Sequence, residues 1–180
     1  KFTLFIFGGS QGAHRLNLAI MEALGHLQDL RAKLQIIHQT GDKDYPEVLE
    51  GYRRGGVAAE VHPFIHDMEY AYAAADLVLC RAGASTLFEL MAMGKPAILV
   101  PYPYAANDHQ TLNARALVDA GAALMVTNGD LNGARLSGML GQLCEDPERL
   151  RKMGERASTL GKPAAAETIV KLCYEMINHG

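Results

Sequence analysis

Short apolar runs alternate with helical patterns along the whole chain, and that alternation restricts the fold more than any other feature. The runs fall at residues 2–7, 34–38, 58–62, 77–80, 97–100 and 123–126. The helical patterns fall at 14–27, 44–54, 67–74, 85–93, 109–120, 132–144, 147–158 and 163–177. Leu77-Val78-Leu79-Cys80 and Ala97-Ile98-Leu99-Val100 are apolar on both faces, as strands of a sheet covered on both sides must be. The pattern predicts the α/β class: a parallel sheet of about six strands with helices on both faces, in one domain over residues 1–180. Connections are short, and no repeat, low-complexity segment or linker divides the chain. The three helical patterns after the last run pack outside the sheet or reach towards something outside this sequence.

Composition narrows the function classes. A net charge of −3 argues against nonspecific nucleic-acid binding, which needs a basic surface. Cys80, Cys144 and Cys173 are far apart without metal-ligand spacing, and read as reduced, buried thiols of a cytosolic protein. No run has transmembrane length and no signal peptide is visible. The chain is already in a strand by Phe2, so it reads as a segment of a longer protein.

The first run ends in Gly8-Gly9-Ser10-Gln11-Gly12-Ala13 and opens directly onto a helical pattern carrying Leu16, Ile20, Ala23, Leu24 and Leu27. Strand, glycine turn and helix in that order suit a phosphate: glycines let a ligand approach the backbone, and the helix start offers free N–H groups and a favourable dipole. Two common phosphate loops do not fit. A Walker A loop needs Lys and then Ser or Thr after its last glycine, where this chain has Ala13 and His14. A dinucleotide fingerprint needs a ribose-binding acid roughly 20 positions on. The second run instead ends in His38-Gln39-Thr40-Gly41, which disfavours a nicotinamide cofactor.

In open α/β sheets ligands bind beyond the C-terminal strand ends, so three further loops carry weight. In Arg81-Ala82-Gly83-Ala84-Ser85-Thr86, Ser85 or Thr86 takes the N-cap position, and a second helix start faces the same edge. Glu89, about one turn in, either accepts two hydroxyls of a ribose diol or is an exposed acid near a helix start. Arg81 either neutralises a diphosphate or pairs with a carboxylate. After the fifth run, Asp108 can cap a helix whose first turn projects His109, Gln110 and Asn113, groups suited to sugar hydroxyls or to capping. After the third run, Asp67 is a further N-cap candidate, Phe64 and Ile65 offer an apolar wall to a flat base, and His66 reads as a solvent-exposed loop residue. Asp42-Lys43-Asp44 matches a D-x-D metal pattern but sits where acids complement a helix start, and no metal site is expected.

The ordered set GGSQGA, HQTG, FIHDM, ADLVLCRAGASTLFEL, GKPAILVPYP and NDHQTLNA closely resembles the bacterial MurG family, across essentially the whole chain. These transferases add N-acetylglucosamine to undecaprenyl-pyrophosphoryl-muramoyl-pentapeptide in peptidoglycan synthesis. The resemblance implies the Rossmann-like C-terminal, donor-binding half of a GT-B glycosyltransferase, with UDP-N-acetylglucosamine as substrate. It places the UDP diphosphate at Gly9, Ser10 and Gln11, the uracil at Ile65, and the phosphates and nearby sugar at Ala84, Ser85 and Thr86. Glu89 then holds the ribose hydroxyls, and Gln110, helped by His109, the N-acetylglucosamine. It implies no cofactor and leaves divalent-ion assistance open. The lipid-linked acceptor, the general base and contact with the inner face of the plasma membrane belong to an N-terminal half absent from this sequence, so the segment is expected to bind donor with little turnover. The alternatives are a donor-binding subunit completed by another chain, a UDP-sugar epimerase, and a regulatory nucleotide-binding module.

Overall fold

The computed structural model describes residues 1–9 and 11–178; the expectation placed on Ser10 lies outside the described residues. The strands are β1 (Phe2–Phe7), β2 (Leu34–Gln39), β3 (Ala58–His62), β4 (Leu77–Cys80), β5 (Ala97–Leu99) and β6 (Ala123–Met125). The helices are α1 (His14–Leu24), α2 (Tyr45–Gly55), α3 (Met68–Ala74), α4 (Ala84–Met93), α5 (His109–Asp119), α6 (Gly133–Cys144), α7 (Pro147–Leu160) and α8 (Ala165–Asn178). All strand pairs are parallel, in the order β3-β2-β1-β4-β5-β6. The chain builds outwards from β1 to β3, returns to the other side of β1, and builds outwards again from β4. The sheet therefore reverses direction between β1 and β4, and a crevice opens there at the C-terminal edge.

Side-chain alternation in β1 divides the interior. Leu4 and Ile6 face a core shared with Leu16 and Ile20 of α1, Val48 and Tyr52 of α2, and Leu136 and Leu140 of α6. Phe5 and Phe7 face the opposite core, with Tyr72 of α3, Leu87 and Leu90 of α4, and Leu117 of α5. β4 and β5 are buried throughout, as their apolar runs require, whereas β3 is an edge strand whose exposed Glu60 pairs with His62.

The structure departs from the sequence expectation at the end of α1 and at two of the cysteines. α1 stops at Leu24 rather than 27, because Gly25 weakens the helix and a 3₁₀ turn follows at Gln28–Leu30. Leu27 is still buried, so the apolar period reported its burial correctly but not its conformation. Only Cys80 is fully buried; Cys144 is partly covered and Cys173 is exposed, because the apolar side chains of α8, Ile169, Leu172 and Met176 among them, face solvent. α6 packs on α1 and α7 on α4, outside the sheet as expected. Among the described residues, no helix is long and apolar enough to cross a membrane.

A buried polar chain ties β2 to α1 and α2. Asn17 of α1 donates through Nδ2 to the Thr40 carbonyl (2.9 Å) and to Asp44 (2.8 Å), so its Oδ1 is left to accept. His38 therefore donates from Nε2 to that oxygen (3.0 Å) and accepts at Nδ1 from the Tyr52 hydroxyl (2.9 Å). This is a neutral imidazole with both nitrogens used. Burial, partly offset by the Asp44 charge, lowers the His38 pKa to about 3 from 6.5.

The sign of the linkage follows. Below pH 6.5 an unfolded histidine takes up a proton that folded His38 refuses until about pH 3, so acid favours unfolding across that window. Urea unfolding should show stability falling from about pH 7 to about pH 5, with the His38 contribution approaching ~1.4 kcal/mol per pH unit. His38→Gln should be less stable than the parent at about pH 7 and should flatten that fall. An equally steep fall in the variant would assign the pH dependence to other groups.

Candidate functional site

The loops after all six strands lie at the C-terminal edge of the sheet, and the crevice between β1 and β4 is framed by the ones that follow β1, β4 and β5. There a cleft of about 540 Å³ is lined by the glycine turn, by His14 and Arg15 at the start of α1, by Arg81, and by Tyr102 and Gln110.

Two backbone contacts seat the glycine turn. A Cβ on Gly12 would lie 2.0 Å from the Thr40 carbonyl oxygen, and one on Gly41 would lie 2.5 Å from the Gln11 carbonyl oxygen. The loops after β1 and β2 thus touch main chain to main chain, with each glycine against a carbonyl of the other loop. Gly12 N–H closes the turn on the Gly9 carbonyl (3.0 Å). Gly9 has φ +91° and open space where a side chain would stand, so its backbone is approachable.

The helices flanking the crevice have bare N-termini. α1 starts behind Ala13 and α4 behind Gly83, neither with a side-chain cap nor with an acid in its first turn. Ser85 and Thr86 are therefore not N-caps, as the sequence suggested; they occupy the second and third positions of the helix. α6 is capped by Asn132 and α7 by Asp146, each accepting from a backbone N–H, whereas α2 and α3 lack a cap but carry a first-turn acid, and α5 lacks both. Uncapped helix starts leave orphan N–H donors at the positive end of the dipole, and two of them side by side favour an anion with more than one charged group.

The remaining expected residues fall into distinct positions. Glu89 is exposed on α4, and its Oε2 accepts from the Tyr72 hydroxyl (2.7 Å). Gln110 lines the cleft, and its Oε1 accepts from the N–H of Ala82 (3.2 Å) and of Tyr102 (2.9 Å), joining two of the loops. Its Nε2 has no partner among the described residues. His109 does not line the cleft, because its ring bonds the Ala106 carbonyl (2.8 Å). Asp108 precedes α5 but accepts from the Thr111 hydroxyl rather than from a backbone N–H, and Asp67 before α3 also makes no side-chain cap. Ile65 lies away from this cleft, beside a separate groove of about 480 Å³ that also includes Phe64 and Tyr70. Its N–H is already bonded to Gln39 Oε1 (2.8 Å).

Arg81 donates to the carbonyls of Val100 and Pro101 and to Asn128 Oδ1, with its guanidinium over the Tyr102 ring. It fixes the loop after β5 and does not pair with a carboxylate; burial lowers its pKa and Tyr102 opposes the shift. Asp44 of the D-x-D pattern is held by His14 Nδ1 (2.9 Å) and Asn17. Burial works against its charge, but those hydrogen bonds and the charges of His14 and Lys43 outweigh burial and keep its pKa below the ordinary value.

Two contributors escaped the sequence reading. Gln39 donates to the Gly9 carbonyl (3.0 Å) while accepting from Ile65, so one side chain couples the turn to the loop after β3. Its signal was a polar residue at a strand end, noticed only as a missing carboxylate. Tyr72 was not singled out in its helical pattern; its ring is core, and only the hydroxyl reaches Glu89.

Comparison with known proteins gives consistent relatives. Residues 3–169 match the glycosyltransferase family 28 C-terminal domain. The UDP-N-acetylglucosamine--N-acetylmuramyl-(pentapeptide) pyrophosphoryl-undecaprenol N-acetylglucosamine transferase of Anaeromyxobacter sp. (strain Fw109-5) is 52% identical over 174 residues, covering 97% of this chain and 46% of its own length. The protein of the same name from Myxococcus xanthus (strain DK1622) is 48% identical over 177 residues, covering 98% and 46%. The crystal structure of Acinetobacter baumannii MurG superposes with a TM-score of 0.87 at 35% identity, covering 97% of this chain and 50% of that one. The chain thus spans about half the length of the relatives it matches.

The loop contact predicts unequal glycine substitutions. Gly12→Ala meets both a positive φ and a backbone carbonyl, and should lower the unfolding free energy by about 2–4 kcal/mol. Gly9→Ala meets strain alone and should cost about 1 kcal/mol. Urea denaturation of the two variants measures the difference.

Proposed function

The chain belongs to the glycosyltransferase family 28 C-terminal domain family, and from that membership we propose that it is the single UDP-N-acetylglucosamine-binding domain of a GT-B N-acetylglucosaminyltransferase. The observation that carries the reading is the pair of uncapped, acid-free helix starts at the β1/β4 crevice. The diphosphate lies against the Gly9–Ala13 backbone and the first turn of α4 at Ala84, Ser85 and Thr86. Glu89 takes the ribose hydroxyls, and the free Nε2 of Gln110 meets the N-acetylglucosamine. Ile65 meets the uracil through its side chain and carbonyl, since Gln39 holds its N–H. His109 takes part only by exchanging its bond to Ala106.

The reaction is inverting transfer. The muramoyl 4-hydroxyl of undecaprenyl-pyrophosphoryl-muramoyl-pentapeptide attacks the anomeric carbon, its proton passes to a general base, and UDP departs with the electrons of the broken glycosidic bond. Negative charge grows on the β-phosphate, where the fixed N–H groups stand ready before reaction. The general base, the acceptor site and membrane contact lie outside this sequence, so the chain alone binds donor and turns over little.

Calorimetric titration with UDP-N-acetylglucosamine, UDP, UDP-glucose and NADH tests the reading. The expected order is the N-acetylglucosamine donor ahead of UDP-glucose, with NADH not binding. Glu89→Ala and Gln110→Ala should each weaken donor binding about tenfold or more. Binding of NADH, or equal affinity of both variants and the parent, would contradict it.

A further inference from the structure

We propose that Tyr72 is a positioning residue that sets the orientation of the Glu89 carboxylate and thereby the discrimination between ribose and 2′-deoxyribose; this rests on the reading of Glu89 as the ribose ligand. Tyr72 sits on α3 and Glu89 on α4, so the 2.7 Å hydrogen bond between them links two helices that follow different strands. The tyrosine ring is nearly inaccessible and cannot swing. It stands edge-on to Phe5 (5.4 Å, 88°) and to Phe7 (5.8 Å, 89°), and Phe7 is the last strand residue before the glycine turn. One rigid stack therefore runs from the phosphate loop through the Tyr72 hydroxyl to the carboxylate.

The chemistry explains why a hydroxyl is needed there. A phenol buried among apolar groups is costly unless it is bonded, and its partner is Oε2 of an otherwise exposed glutamate. An exposed glutamate on a helix samples several rotamers and loses that freedom when it binds a diol. A charge-assisted bond to a fixed donor removes part of that freedom beforehand. The carboxylate keeps Oε1 and a lone pair on Oε2, enough for two vicinal hydroxyls. Burial first, and then the bond and charge of Glu89, push the Tyr72 pKa far above its ordinary value, so the phenol stays a donor.

The test is the ratio of affinities for UDP and 2′-deoxy-UDP in the parent chain, Tyr72→Phe and Glu89→Ala, with thermal melting of each. The parent should prefer UDP, and Glu89→Ala should lose the preference. Tyr72→Phe should reduce the ratio about three- to tenfold through weaker UDP binding, with 2′-deoxy-UDP affinity changed much less. A general loss of packing would weaken both ligands alike and leave the ratio intact. Tyr72→Phe with the parental ratio, while Glu89→Ala loses it, would overturn the proposal alone. A parental ratio in Glu89→Ala, or no uridine nucleotide binding by the parent, would overturn the ribose reading and the proposal with it.

Discussion

The site depends on the contact between the loops after β1 and β2, where Gly12 lies against the Thr40 carbonyl and Gly41 against that of Gln11. Neither position leaves room for a side chain, so the two loops pack this closely only with glycine at both. The polar chain beneath holds the same junction from inside: Asn17 grips Thr40 and Asp44, and His38 grips Asn17. A neutral imidazole inside the protein and a bare helix start at its surface are two ends of one arrangement.

The open helix starts beside the crevice give that arrangement its chemical direction. α6 and α7, on the periphery, satisfy their first N–H groups with Asn132 and Asp146. α1 and α4, beside the crevice, leave theirs open. An uncapped start costs a helix about 1 kcal/mol; α2, α3 and α5 bear that cost too, but at α1 and α4 the open N–H groups face the crevice, where an anion would offset it. Gln110 and Arg81 then tie the loops after β4 and β5 into the walls of the cleft.

Much of this was legible in the sequence, for physical reasons. β4 and β5 are apolar on both faces, which only a doubly covered parallel sheet accepts, and their positions matched the expectation closely. The glycine turn announced itself because no other residue fits a backbone-to-backbone contact at positive φ. What stayed hidden depends on partners far along the chain. Ser85 looked like a cap because the sequence does not reveal that Gly83 already takes that position. The roles of Gln39 and Tyr72 stayed hidden because their hydrogen bonds reach across loops and helices. α8 has a helical pattern like the others, and nothing in that pattern told that its apolar side chains face solvent.

The central claim is that the two bare helix starts hold a diphosphate, and backbone amide NMR during UDP titration tests it most directly. The account predicts the largest shifts at Gly9, Gln11, Gly12 and His14 and at Ala84, Ser85 and Thr86, with the opposite edge of the sheet around Phe2, Asp76 and Lys95 unchanged. Shifts centred on that opposite edge, with the glycine turn unmoved, would contradict it.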